Sequence, residues 1–480
     1  MRVQKKSFCF FFCAILVILS GCVRTCSDYS CLRDVHAQSD NVYLQTELVL
    51  PEEGLTLEEC MAIAAEQNFD VRLKAWETAI QRETACREVW NMLPALEVEF
   101  LDNGRNNNPG SSSQSLVPGV PPAPPSVSSE KNSQHTRVEL AWNLLDFGVS
   151  YLLSKQEKSQ ALIYQLEGER IKQNTLLKVV EEFWVAASAK QAIEGSLEIL
   201  DRAERLKIVI DRMIDQRILP AISGLNNIDI LVDIELRLQE YQKIYDQSLS
   251  RLTGLMGLPP NRGFTIKIPE KMLPSPELEL IASMEQIALY NRPELYMKDL
   301  EGEIAYYDVE LAKWRMIPGI EFFCKYDSDS NKFLIEREWL TAGLAILKDI
   351  FELPINYKDK VIGEYNRQRN ALDRLNASLG IVAQVNIAAL EYLENQKRLR
   401  ILEEKKTVTY RLLDSARKSH DQGEFDEFEL IQYEISALIA KVEETQAYGE
   451  LMTSLERVNN SMGLPGYYHP AKEIGLGGCL

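Results

Sequence analysis

Histidine is scarce, with four residues in 480, and the nine cysteines include no CxxC pair. His36, His135, His420 and His469 fall in stretches that read as tails, loops or turns, and none stands beside a cysteine pair, so the ligand spacing of a zinc site is missing. Also missing are G-x-S-x-G, a glycine-rich phosphate loop and HExxH. Nothing therefore points to an enzyme or to a bound cofactor. Beyond the N-terminus no run of 18 or more apolar residues occurs, so a membrane could be crossed only by strands. Basic excess is absent too: the net charge of -18 argues against nucleic acid as a partner and suits solubility or the passage of cations.

The N-terminus is the most patterned short segment. Arg2, Lys5 and Lys6 precede an apolar run from Phe8 to Leu19, which is too short for a stable span and suits the core of a signal peptide. The run ends in Leu19-Ser20-Gly21-Cys22, which resembles the lipobox of bacterial lipoproteins. That resemblance implies cleavage before Cys22 and a diacylglycerol on its thiol; the alternative is an ordinary signal peptide that contains a cysteine. Val23 follows, with no Asp to suggest retention at the inner membrane, so lipoprotein sorting implies the outer membrane. Loss of three basic residues would take the net charge from -18 to -21. Of the other cysteines, only Cys26 and Cys31 are close enough in sequence to suggest a local disulfide.

An internal duplication organises the rest. At an offset of 224, Lys74, Glu77, Trp90, Pro94 and Glu97 fall on Lys298, Glu301, Trp314, Pro318 and Glu321. At an offset of 206, Met256-Gly257-Leu258-Pro259 falls on Met462-Gly463-Leu464-Pro465, backed by a matching apolar helical stripe. The offsets differ by 18, so the first half carries extra residues, and the Gly, Asn, Ser and Pro-rich stretch from Asn103 to Ser133 is their source.

Each half reads as helix, strand, loop, strand and two long helices. Leu57 to Asn91 is predicted helical until Pro94 stops it. Leu96, Val98 and Phe100 alternate with Glu97 and Glu99, and Val138, Leu140 and Trp142 alternate with Arg137 and Glu139. Ile320, Phe322, Cys324 and Tyr326 alternate in the same way in the second half, and a fourth, less regular strand is expected from Phe333 to Ile346. No proline interrupts Val149 to Gln216 or Ile355 to Gln422, with Gly195 and Gly380 as possible bends. Leu372, Leu375, Leu379 and Val382, and again Phe428, Ile431, Ile435, Leu438 and Val442, step at the spacing of a coiled-coil seam. Four amphipathic strands cannot close a barrel alone, so oligomerisation is expected.

The repeated helix, hairpin and long helix pair, the Trp142-Asn143-Leu144-Leu145-Asp146-Phe147-Gly148 transition and the paired MGLP ends resemble the TolC family of outer-membrane efflux proteins across about residues 55 to 465. The resemblance implies a mainly α fold with a membrane β-barrel portion, four strands per protomer, assembled as a trimeric α-barrel/β-barrel. It implies a channel of a tripartite efflux or type I secretion system, whose partners are a homotrimer, a periplasmic adaptor, an inner-membrane pump and outer-membrane lipid. On this basis residues 1-21 are the lipoprotein signal peptide and 22-54 a lipidated linker. Residues 55-259 form the first repeat, with strands about 95-102 and 135-143 and an extracellular loop 103-133. Residues 260-280 form an equatorial linker, 281-465 the second repeat, with strands about 319-327 and 333-346, and 466-480 a tail.

The family's periplasmic gate carboxylates follow a tip glycine between the long helices. Gly423 matches that glycine, Glu429 best matches the gate position, and Glu427 and Asp426 are its neighbours. Phe425 stands where a gate-locking Arg is expected; in the first repeat Arg217 takes the glycine position and Ser223 the carboxylate position. The alternative for these acids is a solvated helix start, where negative charge favours the N-terminal dipole. Trp90 and Trp314 suit either an aromatic belt or helix packing. For the whole chain, the alternative is a non-conducting coiled-coil lipoprotein bridging periplasmic partners, which leaves the period-two hairpins unexplained.

Overall fold

The computed structural model describes residues 29–45, 54–259, 264–269, 276–424 and 426–464. The signal segment, Cys22, Cys26, Phe425, Pro465 and the tail lie outside them. Helix α1 (Tyr29–Gln45), which contains His36, touches the body through Tyr43. The Tyr43 hydroxyl donates to the Gly257 carbonyl at 3.1 Å, and its ring meets that of Phe69 edge-on at 5.9 Å.

The helix expected from Leu57 to Asn91 is two helices, α2 (Leu57–Gln67) and α3 (Phe69–Trp90). Asn68 makes the break: its side-chain oxygen accepts from the Asp70 and Val71 amides at 2.9 and 3.2 Å and so caps a new helix start. A Thr56/Glu59 capping box starts α2.

Strand β1 (Ala95–Gly104) pairs with β4 (Asn132–Asn143), and between them lie two-residue strands β2 (Gly110–Ser111) and β3 (Ser126–Val127). The Gly/Pro-rich insertion thus carries a short ladder of its own. Asn143 caps α4 (Leu144–Asp215), 72 residues long, which a turn joins to α5 (Ala221–Leu255). The second half repeats the order with α6 (Ile281–Asn291), α7 (Pro293–Met316), β5 (Gly319–Asp329), β6 (Glu338–Leu347), α8 (Glu352–Asp421) and α9 (Glu427–Ser461). The strand expected from Phe333 starts at Glu338, because Asn331 folds the preceding residues into a turn, accepting from the Phe333 amide at 3.3 Å while its own amide donates to Asp329 at 2.9 Å.

The sheet order is β1-β4-β5-β6, antiparallel throughout, so the two hairpins join at its centre and β1 and β6 are its open edges. The helices make a slab with the same two edges. Helix α4 lies between α3 and α7 near the sheet and between α5 and α9 farther away, while α8 flanks α7 and then α9. Gly195 does not bend α4. It lets α9 approach: a Cβ there would stand 2.4 Å from Leu438 Cδ1. Helix α8 likewise runs unbroken through Gly380.

The main core lies midway, where Phe183, Trp184, Leu252, Met256, Met284 and Leu451 are buried together. A second cluster runs down α4, α5 and α9 through Leu231, Ile431, Ile435, Leu438 and Val442. The other seam, on α8, faces outward: Leu372, Leu375 and Leu379 are exposed. Helix α3 is similarly inverted, with Lys74, Thr78, Gln81 and Glu88 turned toward the body and Leu73, Trp76 and Ile80 exposed. Such stripes are left for another surface to cover.

Candidate functional site

The sheet has two chemically distinct faces, because side chains alternate along each strand. One carries Leu96, Val98, Phe100, Leu140, Phe322, Tyr326, Leu340, Leu344 and Ile346, and these are exposed. The opposite face is ionic. Arg137 Nε lies 2.8 Å from Asp327 Oδ1 and Arg137 Nη1 lies 3.5 Å from Glu99 Oε2, while Lys325 Nζ meets Glu139 Oε1 at 2.7 Å. His135, at the loop-side start of the strand expected over about 135-143, sits within β4 with Nε2 3.1 Å from Asp327 Oδ1. Acids outnumber bases here, since Glu97, Glu321 and Asp329 share this face. An apolar outside and an acidic inside is the pattern of a strand wall between hydrocarbon and water.

Trp314 lays one edge of its ring against Gly148, where a Cβ would stand 2.9 Å from it, while the rest of the side chain stays exposed. Trp90 is exposed. Trp142 donates from Nε1 to the Met92 carbonyl at 3.1 Å, which ties the end of α3 to the sheet.

At the far end of the slab two turns have the same construction. Arg217 and Gly423 both take positive φ, 57° and 75°, and the next amide reaches back to close the helix: Ile218 N to Met213 O and Glu424 N to Ser419 O, both 2.9 Å. Glycine adopts this conformation freely, whereas Arg217 does so at a cost.

The three acids after Gly423 have separate roles. Asp426 caps α9 by accepting from the Glu429 amide at 2.8 Å, and the Glu429 carboxylate accepts from the Asp426 amide at 3.1 Å. Glu427 alone reaches another helix pair: its Oε1 lies 3.4 Å from Arg202 Nη1 on α4, and its Oε2 lies 3.5 Å from His420 Nε2. Arg202 also pairs with Glu434, which takes a second cation from Arg417 Nη2 at 3.3 Å. Arg202, Arg417 and Glu434 therefore join α4, α8 and α9 close to the turn. One sequence signal could have found part of this cluster: Glu427 and Glu434 are seven residues apart, on one face of α9.

A second ionic joint lies where the repeats meet. Arg292 is buried and donates from Nη1 to the last carbonyls of α9, Asn460 and Ser461, at 3.1 and 3.3 Å. Arg170 Nε and Arg292 Nη2 both contact Glu294 Oε1, at 2.7 and 2.9 Å. Burial pushes both guanidinium pKa values down. The counterpart in the first repeat is neutral: Asn68 Nδ2 donates to the Leu255 carbonyl at 2.9 Å. Among the described residues no group of three or more metal-binding side chains converges, and no helix is long and apolar enough to cross a membrane.

These features define a class of fold: mainly helical, with an open-edged four-stranded antiparallel sheet continued by a slab of long helices. By sequence, no protein-family model and no curated protein matches the chain. By structure it is similar to the outer-membrane channel OprN, at 15% identity over 86% of this chain and 91% of that one, with a TM-score of 0.66. It is also similar to the CmeC outer membrane channel of Campylobacter jejuni (13%, 85% of each chain, 0.67) and the open-state MtrE outer membrane channel of Neisseria gonorrhoeae (16%, 88% and 94%, 0.65). The chain has the TolC-type outer-membrane channel fold.

Proposed function

We propose that the chain is one protomer of a homotrimeric outer-membrane channel, serving a tripartite efflux or type I secretion system and passing substrates without transforming them. The observation that carries this reading is that sheet and slab are unfinished at the same two edges. An open strand edge cannot be left in hydrocarbon, so β1 of one copy pairs with β6 of the next. The exposed stripe on α3 then meets the outward seam of α8 on the neighbour. Such a head-to-tail contact closes into a ring, and three copies of a four-stranded sheet give a barrel of twelve strands.

In this reading the apolar sheet face meets lipid, the ionic face lines the pore, and Cys22 carries the covalent lipid that anchors the chain at the outer membrane. The far turns hang in the periplasm, where an adaptor and an inner-membrane pump dock. Glu427, with Glu429 and Asp426 beside it, lines the entrance, and Arg202 holds the α8/α9 hairpin against α4. A ring of such acids favours cations at the mouth. The test is conductance: purified full-length protein in planar bilayers gives discrete channels, and Arg202→Ala raises their open fraction. Folded protein that inserts into the bilayer and never conducts, with or without Arg202, would overturn the reading.

A further inference from the structure

The long loop between β1 and β4 is a stiff arm with an apolar tip. Beyond the β2–β3 ladder the Ala123 amide donates to the Ser113 carbonyl at 2.9 Å, so the two limbs stay side by side. The tip is a type II turn at Val117-Pro118-Gly119-Val120: Pro118 presets its own φ, Gly119 takes φ 87°, and the Val120 amide reaches the Val117 carbonyl at 3.4 Å. Pro121, Pro122, Pro124 and Pro125 leave Ala123 as the one backbone donor from 121 to 125, and Ser113 already takes it, so this limb cannot pair with a further strand. Side chains must make any contact at the tip. Leu116, Val117 and Val120 are exposed there, and no charged residue occurs from 106 to 129 in a chain of net charge -18. The return limb is held over the second hairpin. Asn331, in the turn between β5 and β6, donates from Nδ2 to the Ser128 carbonyl at 3.0 Å, the Lys332 amide donates to Glu130 Oε2 at 3.3 Å, and Lys332 Nζ lies 2.9 Å from Glu130 Oε1.

We propose that the β2–β3 arms of three copies meet above the mouth of the channel, where Leu116, Val117 and Val120 of each form one apolar contact that narrows the outer end against bulky solutes. This rests on the channel reading above. Four strands fill a third of a twelve-stranded ring, so a straight arm held across them follows a chord over the mouth rather than the rim. Strand spacing and tilt give such a ring a radius of ~12 Å, and at ~3.3 Å per residue the stretch from Ser111 to Val117 carries the tip ~20 Å. The tips therefore reach the axis. Apolar side chains left in water gain by being covered, and over the mouth the surfaces within reach are the other two tips. Uncharged arms meet there without the repulsion that three copies of the acidic sheet face would suffer. An apolar constriction above an acidic pore excludes by size while ions pass between the tips.

The experiment uses the full-length protein in planar bilayers. Replacing residues 112–125 by Asn-Gly closes the β2–β3 ladder as a two-residue hairpin and removes the tip. Single-channel conductance should then rise about twofold or more. Leu116→Asp with Val120→Asp, which sets like charges against one another where the tips meet, should do the same without shortening the arm. In outer membranes treated with copper phenanthroline, Leu116→Cys should give disulfide-linked pairs of copies that the wild-type chain does not. Unchanged conductance in both variants, or Leu116→Cys copies that stay unlinked, overturns the inference. Quenching of Leu116→Trp fluorescence by brominated phospholipid would put the tip in the bilayer and overturn it as well. In each of those outcomes the channels still conduct and the channel reading stands; inserted protein that never conducts, even with the shortened arm, overturns both.

Discussion

Lys74 and Lys298 hold the same post in the two halves of the chain, each bridging an acid one turn along its own helix and an acid on the long helix that follows. Lys74 Nζ lies 2.6 Å from Glu77 and 2.9 Å from Glu167; Lys298 Nζ lies 2.8 Å from both Glu301 and Asp373. Lys74 and Lys298, and Glu77 and Glu301, correspond at the 224 offset, and Glu167 and Asp373 correspond at 206, so the triad spans the point where the two offsets change.

These triads give a pH dependence with a definite sign. The hydrogen bond that Lys74 donates to Glu77, then the one it donates to Glu167, raises its pKa; those to Asp373, then Glu301, do the same for Lys298. A raised folded-state value means the contribution is complete below the ordinary lysine pKa and is lost as pH rises through the folded value. Thermal unfolding temperature should therefore fall above about pH 10.4. Lys74→Met with Lys298→Met should flatten that part of the profile and leave the profile near pH 7 with its shape unchanged; an equal alkaline fall in the double variant would contradict this assignment.

Close approach at Gly195 predicts a large packing penalty. Gly195→Val places atoms where Leu438 now sits, which should cost about 1–3 kcal/mol. Leu438→Ala in the same chain should recover part of that loss, giving a non-additive cycle in melting experiments.

The two far turns should respond oppositely to substitution. Arg217→Gly relieves a left-handed non-glycine residue and should slow exchange of the Ile218 amide, whereas Gly423→Ala should speed exchange of the Glu424 amide, each by about 1 kcal/mol. Equal effects of one sign would mean that the turns are not equivalent.

On the proposed channel reading, the acidic face of the sheet lines the pore and predicts selectivity. Glu97→Gln with Glu99→Gln should lower the cation-to-anion permeability ratio about twofold or more, read from reversal potentials across a KCl gradient. Val98→Thr, on the opposite face, should leave the ratio unchanged.

Much of this architecture is legible in the sequence because its signals are periodic. The strands around Val98, Val138 and Phe322 alternate cleanly between an apolar and an ionic face, and the duplicated MGLP ends mark Gly257 and Gly463, both at positive φ. The break at Asn68 was harder to read, because a capping side chain interrupts a pattern that otherwise continues. Gly195 reads as a bend only until Leu438, 243 positions away, is brought against it. The Arg202 cluster was invisible for the same reason: its charges come from three helices, and only Glu427 and Glu434 share a face. Of the three acids that the tip glycine points to, Asp426 and Glu429 bond each other's amides and Glu427 reaches Arg202.

The most direct test is electron microscopy of the full-length protein purified from outer membranes in mild detergent. A hollow cylinder of three-fold symmetry, with β1 of each copy against β6 of the next, is the expected result. A compact monomer, or a solid rod without a lumen, would contradict the account.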